Sequence, residues 1–263
     1  QSPIEWKEAS SNGYTYKYVT NDATKARFYT LKNGLTVILS PTKKAPRIQA
    51  YIAIKAGSKT DPSTNTGLAH YLEHMLFKGT EKRRSSHIIN RLENVGGELN
   101  AFTSKEETVV YATVLNEYFE RAMELIADIT LHSTFPQKEI DKEVVIIVDE
   151  IQSYNDSPSE LIYDDFEEML FEHHAIGHNI LGKAELLVNY TTEDAKRFVA
   201  KHYSPQEMVF FTLGDINFKQ LIRWAEKYLT TESAPERIPE RVAPTVYTPS
   251  RREIIKNTHQ VHF

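Results

Sequence analysis

The sequence predicts an α+β fold. Its strand patterns come in groups joined by tight turns, its helical patterns come in runs, and the regular strand–helix alternation of a doubly wound sheet is missing. The sharpest of these signals is Lys32-Asn33-Gly34, because Asn-Gly between two alternating apolar runs is a strong short-range mark of a β-hairpin.

Taken in order, residues 1–25 are polar, with Ser10-Ser11-Asn12-Gly13 a turn-rich lead-in and no clear period, and read as an N-terminal arm. Phe28, Thr30 and Leu31 enter the hairpin, and Leu35, Val37 and Leu39 leave it. A third strand is predicted over 48–56, where Ile48, Ala50, Ile52 and Ile54 alternate with mixed partners, followed by a loop over 57–65. The spacing then turns helical over 67–77, with Leu68, Leu72, Met75 and Leu76 on one stripe and Gly79 as a stop. A short helix over 86–95 closes at Gly96-Gly97, and strands follow over 98–104 and 108–115. Helices are predicted over 118–131, 137–155, 160–172 and 192–203, the last capped by Thr191 or Thr192; a strand over 208–213 and a helix over 218–229 end this part. Residues 230–249 carry Pro235, Pro239, Pro244 and Pro249 among charges and read as a linker. A strand-like pattern resumes over 251–263 with Ile254, Ile255, Val261 and Phe263 and breaks off. The expected organisation is an arm over 1–25, one domain over 26–229, the linker, and the opening of a further unit.

Composition limits the function. Among 263 residues, 40% are hydrophobic and 25% charged, which permits a packed core and argues against disorder. No apolar run approaches the roughly 20 residues of a membrane span. With 31 Lys and Arg against 36 Asp and Glu, a net charge of −5 argues against a nucleic-acid partner. The absence of cysteine removes disulfides, thiolate metal sites and a cysteine nucleophile, so any metal must be held by His and carboxylate. Gly96-Gly97 lacks the Lys and the helix that a phosphate loop requires.

The segment that carries chemistry is His70-Tyr71-Leu72-Glu73-His74. On a helix, His70 and His74 are one turn apart and can reach one ion, while Glu73 sits at the edge of the same face. Two imidazoles that bind Zn²⁺ beside a carboxylate that activates its water form a hydrolytic site, here in the inverted His-x-x-Glu-His order. Alone, three such positions match by chance in roughly a few per cent of chains like this one. A catalytic zinc site also needs a third protein ligand. Glu150, 76 residues after His74, is the candidate: Glu143 and Glu150 lie two turns apart on one helix face beside the apolar stripe Val144, Ile147 and Ile151. The other histidines read as surface or core residues: His173 and His174 point apart, His178 falls in a loop, and His259 and His262 lie in the terminal segment. Asp164, Asp165, Glu167 and Glu168 read as a solvated helix face.

From about Lys25 to Leu229 the chain resembles the pitrilysin-type (inverzincin) zinc metallopeptidases, in particular the N-terminal half of the processing-peptidase β-subunit and bacterial zinc-protease branch. The resemblance rests on the Leu31-Lys32-Asn33-Gly34-Leu35 lead, the run from Gly67 to Thr80 around the inverted motif, Gly96-Gly97-Glu98-Leu99-Asn100-Ala101-Phe102-Thr103, Glu150, Leu181-Gly182 and Gly214-Asp215. It implies a mixed, mainly antiparallel sheet with helices packed on one face, forming one half of a two-half clamshell. It also implies one Zn²⁺ per chain held by His70, His74 and Glu150, Glu73 as general base, and Glu143 behind a ligand imidazole. Asn100 and Ala101 match the edge strand on which such enzymes lay an extended peptide.

The activity implied is a zinc metalloendopeptidase acting on peptides or unfolded segments. Its implied partners are a peptide and a second homologous half, either in the same longer chain, with residues 250–263 as its start, or in a partner subunit. By this reading the piece alone binds zinc and turns peptide over poorly, and the bacterial periplasm or cell envelope is favoured over the cytoplasm. A non-catalytic binding or scaffold subunit of the same fold is the alternative, and zinc hydrolysis of a non-peptide carbonyl is a third reading.

Overall fold

The computed structural model describes residues 3–231, 240–244, 247–257 and 259–262. Eight strands form one sheet: β1 (Trp6–Ser11), β2 (Tyr14–Val19), β3 (Arg27–Thr30), β4 (Thr36–Pro41), β5 (Arg47–Ile54), β6 (Glu98–Thr103), β7 (Thr108–Leu115) and β8 (Met208–Gly214). Among the described residues the α-helices are α1 (Leu68–Met75), α2 (Ser85–Glu93), α3 (Phe119–Leu131), α4 (Gln137–Asn155), α5 (Pro158–Leu170), α6 (Ala184–Leu187), α7 (Thr192–His202) and α8 (Phe218–Tyr228).

The spatial order is β1-β2-β3-β4-β8-β5-β7-β6. Every neighbouring pair is antiparallel except β4 and β8, which makes the sheet mixed and mainly antiparallel. The late strand β8 enters the centre, pairing with β4 on one side and β5 on the other. Alternation then fixes the two faces. Ile48, Ala50, Ile52 and Ile54 of β5, Val110, Ala112 and Val114 of β7, and Met208 and Phe210 of β8 are buried in the same core as Leu125, Ile126 and Ile129 of α3 and Leu221, Ile222 and Ala225 of α8. Each large aliphatic side chain removed from water there contributes about 1.5–3 kcal/mol. On the opposite face, half-buried Tyr51 stacks on Tyr111 at 5.2 Å and meets Phe211 edge-on at 6.2 Å.

The two ends of the chain differ from the sequence reading. The arm has a period after all: Tyr14, Tyr16 and Tyr18 alternate after an Asn12-Gly13 turn, and β1 and β2 pair along their full length as a hairpin that extends the sheet. At the other end, residues 251–257 are exposed and form no strand; no sheet edge pairs with them, and a strand without a partner leaves its ladder groups unpaired. Within the linker, residues 232–239 and 245–246 lie outside the described residues, including Pro235 and Pro239, as do Thr258 and Phe263 of the terminal pattern. No helix among the described residues is long and apolar enough to cross a membrane.

Candidate metal centre

Helix α1 is buried on almost every side: Leu68, Ala69, Tyr71, Leu72 and Met75 are in the core, and His70 is only 8% exposed. Its first turn is held from outside. Gly67, at the cap position, has no side chain and a φ of +89°, and Asp61 substitutes for a cap: its two carboxylate oxygens accept from the Gly67 and Ala69 N–H groups, each at 2.8 Å. His178 Nε2 lies 3.2 Å from Asp61 Oδ2, tying in the 171–183 loop. Burial pushes the Asp61 carboxyl above its ordinary range, while these three bonds work in the opposite direction. Gly67 and Gly182, both at positive φ, allow the two loops to touch backbone to backbone; a Cβ on Gly182 would strike the Thr66 carbonyl.

Helix α4 lies against α1. It seats Ile140 and Ile147 in the core and brings Glu143 and Glu150 to the histidines. Glu143 is 3% exposed; its Oε2 is 3.2 Å from His74 Nδ1, and its Oε1 accepts from Lys78 Nζ at 2.6 Å. With Nδ1–H donated to Glu143, the lone pair of His74 Nε2 faces inward. His70 Nε2 lies 3.3 Å away, and Glu150 approaches at 3.8 Å from His70 Nε2 and 3.6 Å from His74 Nε2. Burial and the neighbouring His74 lower the His70 pKa to about 3, so its ring is neutral. Glu73 is half-buried and accepts from the Thr103 hydroxyl at 2.5 Å. Burial raises its carboxyl above the ordinary range, opposed by that bond and by His74.

The donor set suits a divalent cation. His70, His74 and Glu150 offer ligand atoms within 4.8 Å of one another. Two nitrogens each about 2.0–2.1 Å from a tetrahedral ion lie about 3.3 Å apart, which is the separation of the two Nε2 atoms. Among the described residues no Lys or Arg pairs with Glu73 or Glu150, so the Glu150 carboxylate meets the two imidazole nitrogens without a cation from the protein. Nitrogen and carboxylate ligands with no thiolate suit zinc.

Asn100 and Ala101 lie on β6, at the open edge of the sheet beside α1. The Ala101 N–H turns away from β7 and is taken by the Asn100 side-chain oxygen at 2.8 Å. Four participants escaped the sequence reading. Lys78 and Thr103 stand within the family-like runs but have no ligand chemistry of their own, and Asp61 and His178 act from loops whose meeting no local pattern encodes.

The sequence model of the insulinase family (peptidase family M16) matches residues 36–184, and that of the M16 inactive domain matches residues 189–263. An uncharacterized zinc protease of Bacillus subtilis, YmxG, is 33% identical over 205 residues, covering 76% of this chain and 50% of that protein. The β subunit of the mitochondrial-processing peptidase of Saccharomyces cerevisiae is 32% identical over 198 residues, covering 75% and 43%. The chain spans about half the length of the curated relatives it matches. The periplasmic protease PqqL of Escherichia coli shares the fold, with a TM-score of 0.77 and 23% identity over 85% of this chain and 26% of that one.

Proposed function

Because the chain belongs to the insulinase family of peptidases (peptidase family M16), we propose that it is the metal-binding half of a zinc metalloendopeptidase that hydrolyses peptide bonds in peptides or unfolded segments added as a strand to β6. The observation that carries this reading is the convergence of His70 Nε2, His74 Nε2 and the Glu150 carboxylate, with Glu73 beside them.

His70, His74 and Glu150 hold one zinc ion, and Glu143 fixes the ring of His74 through Nδ1. Zinc, when bound, polarises the scissile carbonyl and makes a water acidic enough to attack it near neutral pH. Glu73 takes the proton from the attacking water, the carbon–nitrogen bond breaks, and Glu73 passes that proton to the leaving amine. The outward N–H groups of β6 pair with the main chain of the peptide, so the register is set by backbone.

A second homologous half, in the same longer chain or in a partner subunit, completes the chamber; the half-length coverage of relatives supports this, and residues 250–263 would open that half. The match to a domain described as inactive favours a second reading, a non-catalytic subunit of the same fold. Against it stands the complete set His70, Glu73, His74 and Glu150. The test is metal content and peptide turnover, measured on these 263 residues and on the full-length protein before and after chelation. One zinc per chain, weak turnover in the piece and chelator-sensitive turnover in the whole are expected. Zinc without turnover in the whole would favour the scaffold reading.

A further inference from the structure

Thr103 is the last residue of β6 and touches the site in two ways. Its hydroxyl donates to Glu73 Oε2 at 2.5 Å, and this is the one hydrogen bond to the Glu73 carboxylate among the described residues. Its main chain belongs to the open edge. Ser104 N–H bonds to the Glu107 carbonyl across the hairpin, so by the alternation of an antiparallel ladder the N–H groups of Leu99, Ala101 and Thr103 face outward. The Ala101 N–H, bonded to its neighbour's side chain, agrees with that phase.

We propose that Thr103 is the positioning residue for Glu73: it clamps Oε2, leaves Oε1 free to meet the water, and ties the carboxylate to the same strand that holds the peptide. The proposal rests on the reading above, in which Glu73 is the base and β6 the peptide edge. The physical case has three parts. A glutamate carboxylate sits on three rotatable bonds, and a charge-assisted hydrogen bond is strong enough to favour one rotamer about tenfold over its competitors. Threonine is stiff at χ1, so its hydroxyl holds its aim where a longer donor would wander. A clamp on the peptide-binding strand moves with the peptide, so any shift of β6 carries the carboxylate along and preserves its distance from the scissile bond.

The test uses the full-length, zinc-loaded protein. Thr103→Val keeps the shape and removes the donor, and Thr103→Ser keeps the donor. For Thr103→Val, kcat is expected to fall about 10-fold with KM within twofold and zinc affinity unchanged, and Thr103→Ser is expected to recover most of kcat. On a Glu73→Gln background, Thr103→Val should leave the dissociation constant of an uncleaved peptide unchanged. The proposal is overturned by wild-type kcat in Thr103→Val, by failure of serine to restore it, or by a loss that falls on KM or zinc instead. Turnover that persists in Glu73→Gln alone overturns the base assignment as well, which separates the two failures.

Discussion

Strands β1 and β6 are the two edges of one sheet, each six residues long and each one arm of a hairpin. Both turn main-chain N–H and C=O groups away from the sheet, where an extended chain could pair with them, although on β6 the Ala101 N–H already bonds the Asn100 side chain. At β1 the residues are Trp6, Lys7, Glu8, Ala9, Ser10 and Ser11, mostly exposed. At β6 the strand lies against α1, and its inward Thr103 reaches a carboxylate beside two histidines. An open edge alone therefore offers main-chain pairing; what sets β6 apart is the buried, externally capped helix laid beside it. The charged side chains of β1 have the opposite use, since Lys and Glu on an edge discourage pairing with other chains.

The largest effect should come from deleting what only the β6 end possesses. Glu73→Gln is expected to lower turnover of the full-length protein by about 10³-fold while zinc, read by metal analysis, stays bound; loss of zinc would mean that base and ligand are misassigned. Next in size, Glu150→Gln should weaken zinc by on the order of 100-fold and Glu143→Gln by about 10-fold, measured by chelator competition. An unchanged affinity in Glu150→Gln would remove it from the ligand set. The comparison itself is tested by proline. Ala101→Pro removes an outward N–H from β6 and should raise KM about 10-fold, whereas Glu8→Pro, outward by the same ladder logic on β1, should leave KM unchanged. Equal effects from both would break the distinction between the edges. The smallest expected change is in Asn100→Ala, within about twofold in KM, because the role of this strand lies in its backbone.

Much of this was legible in the sequence, for reasons that can be named. Helix α4 matches its predicted span end to end because Ile140 and Ile147 alternate at helical spacing with charges and the run begins after Pro136. The inverted motif was legible because metal ligation demands fixed spacing on one turn. The β1–β2 hairpin was missed although Asn12-Gly13 is the same signal that marks Asn33-Gly34; the alternating residues there are tyrosines, whose apolar bodies do not register as a hydrophobic run. The terminal residues 251–257 show the reverse error, a strand pattern with no neighbour to pair with. Asp61, His178 and Lys78 were illegible because their partners lie 117 positions apart for Asp61 and His178, and across two helices for Lys78 and Glu143.

The central place of β8 has a consequence for synthesis. The ribosome releases His70, His74 and Glu150 well before residues 208–214, at roughly 5–20 residues per second, so the nascent chain carries these candidate metal ligands for seconds before the strand that joins β4 to β5 exists. Until then the β1–β4 ladder and the β5–β7–β6 ladder have no common strand, while the ladder that α1 and α3 pack against, β5–β7–β6, is already complete. The part of the sheet beneath the candidate ligands is therefore synthesised whole before the strand that joins it to the N-terminal hairpins.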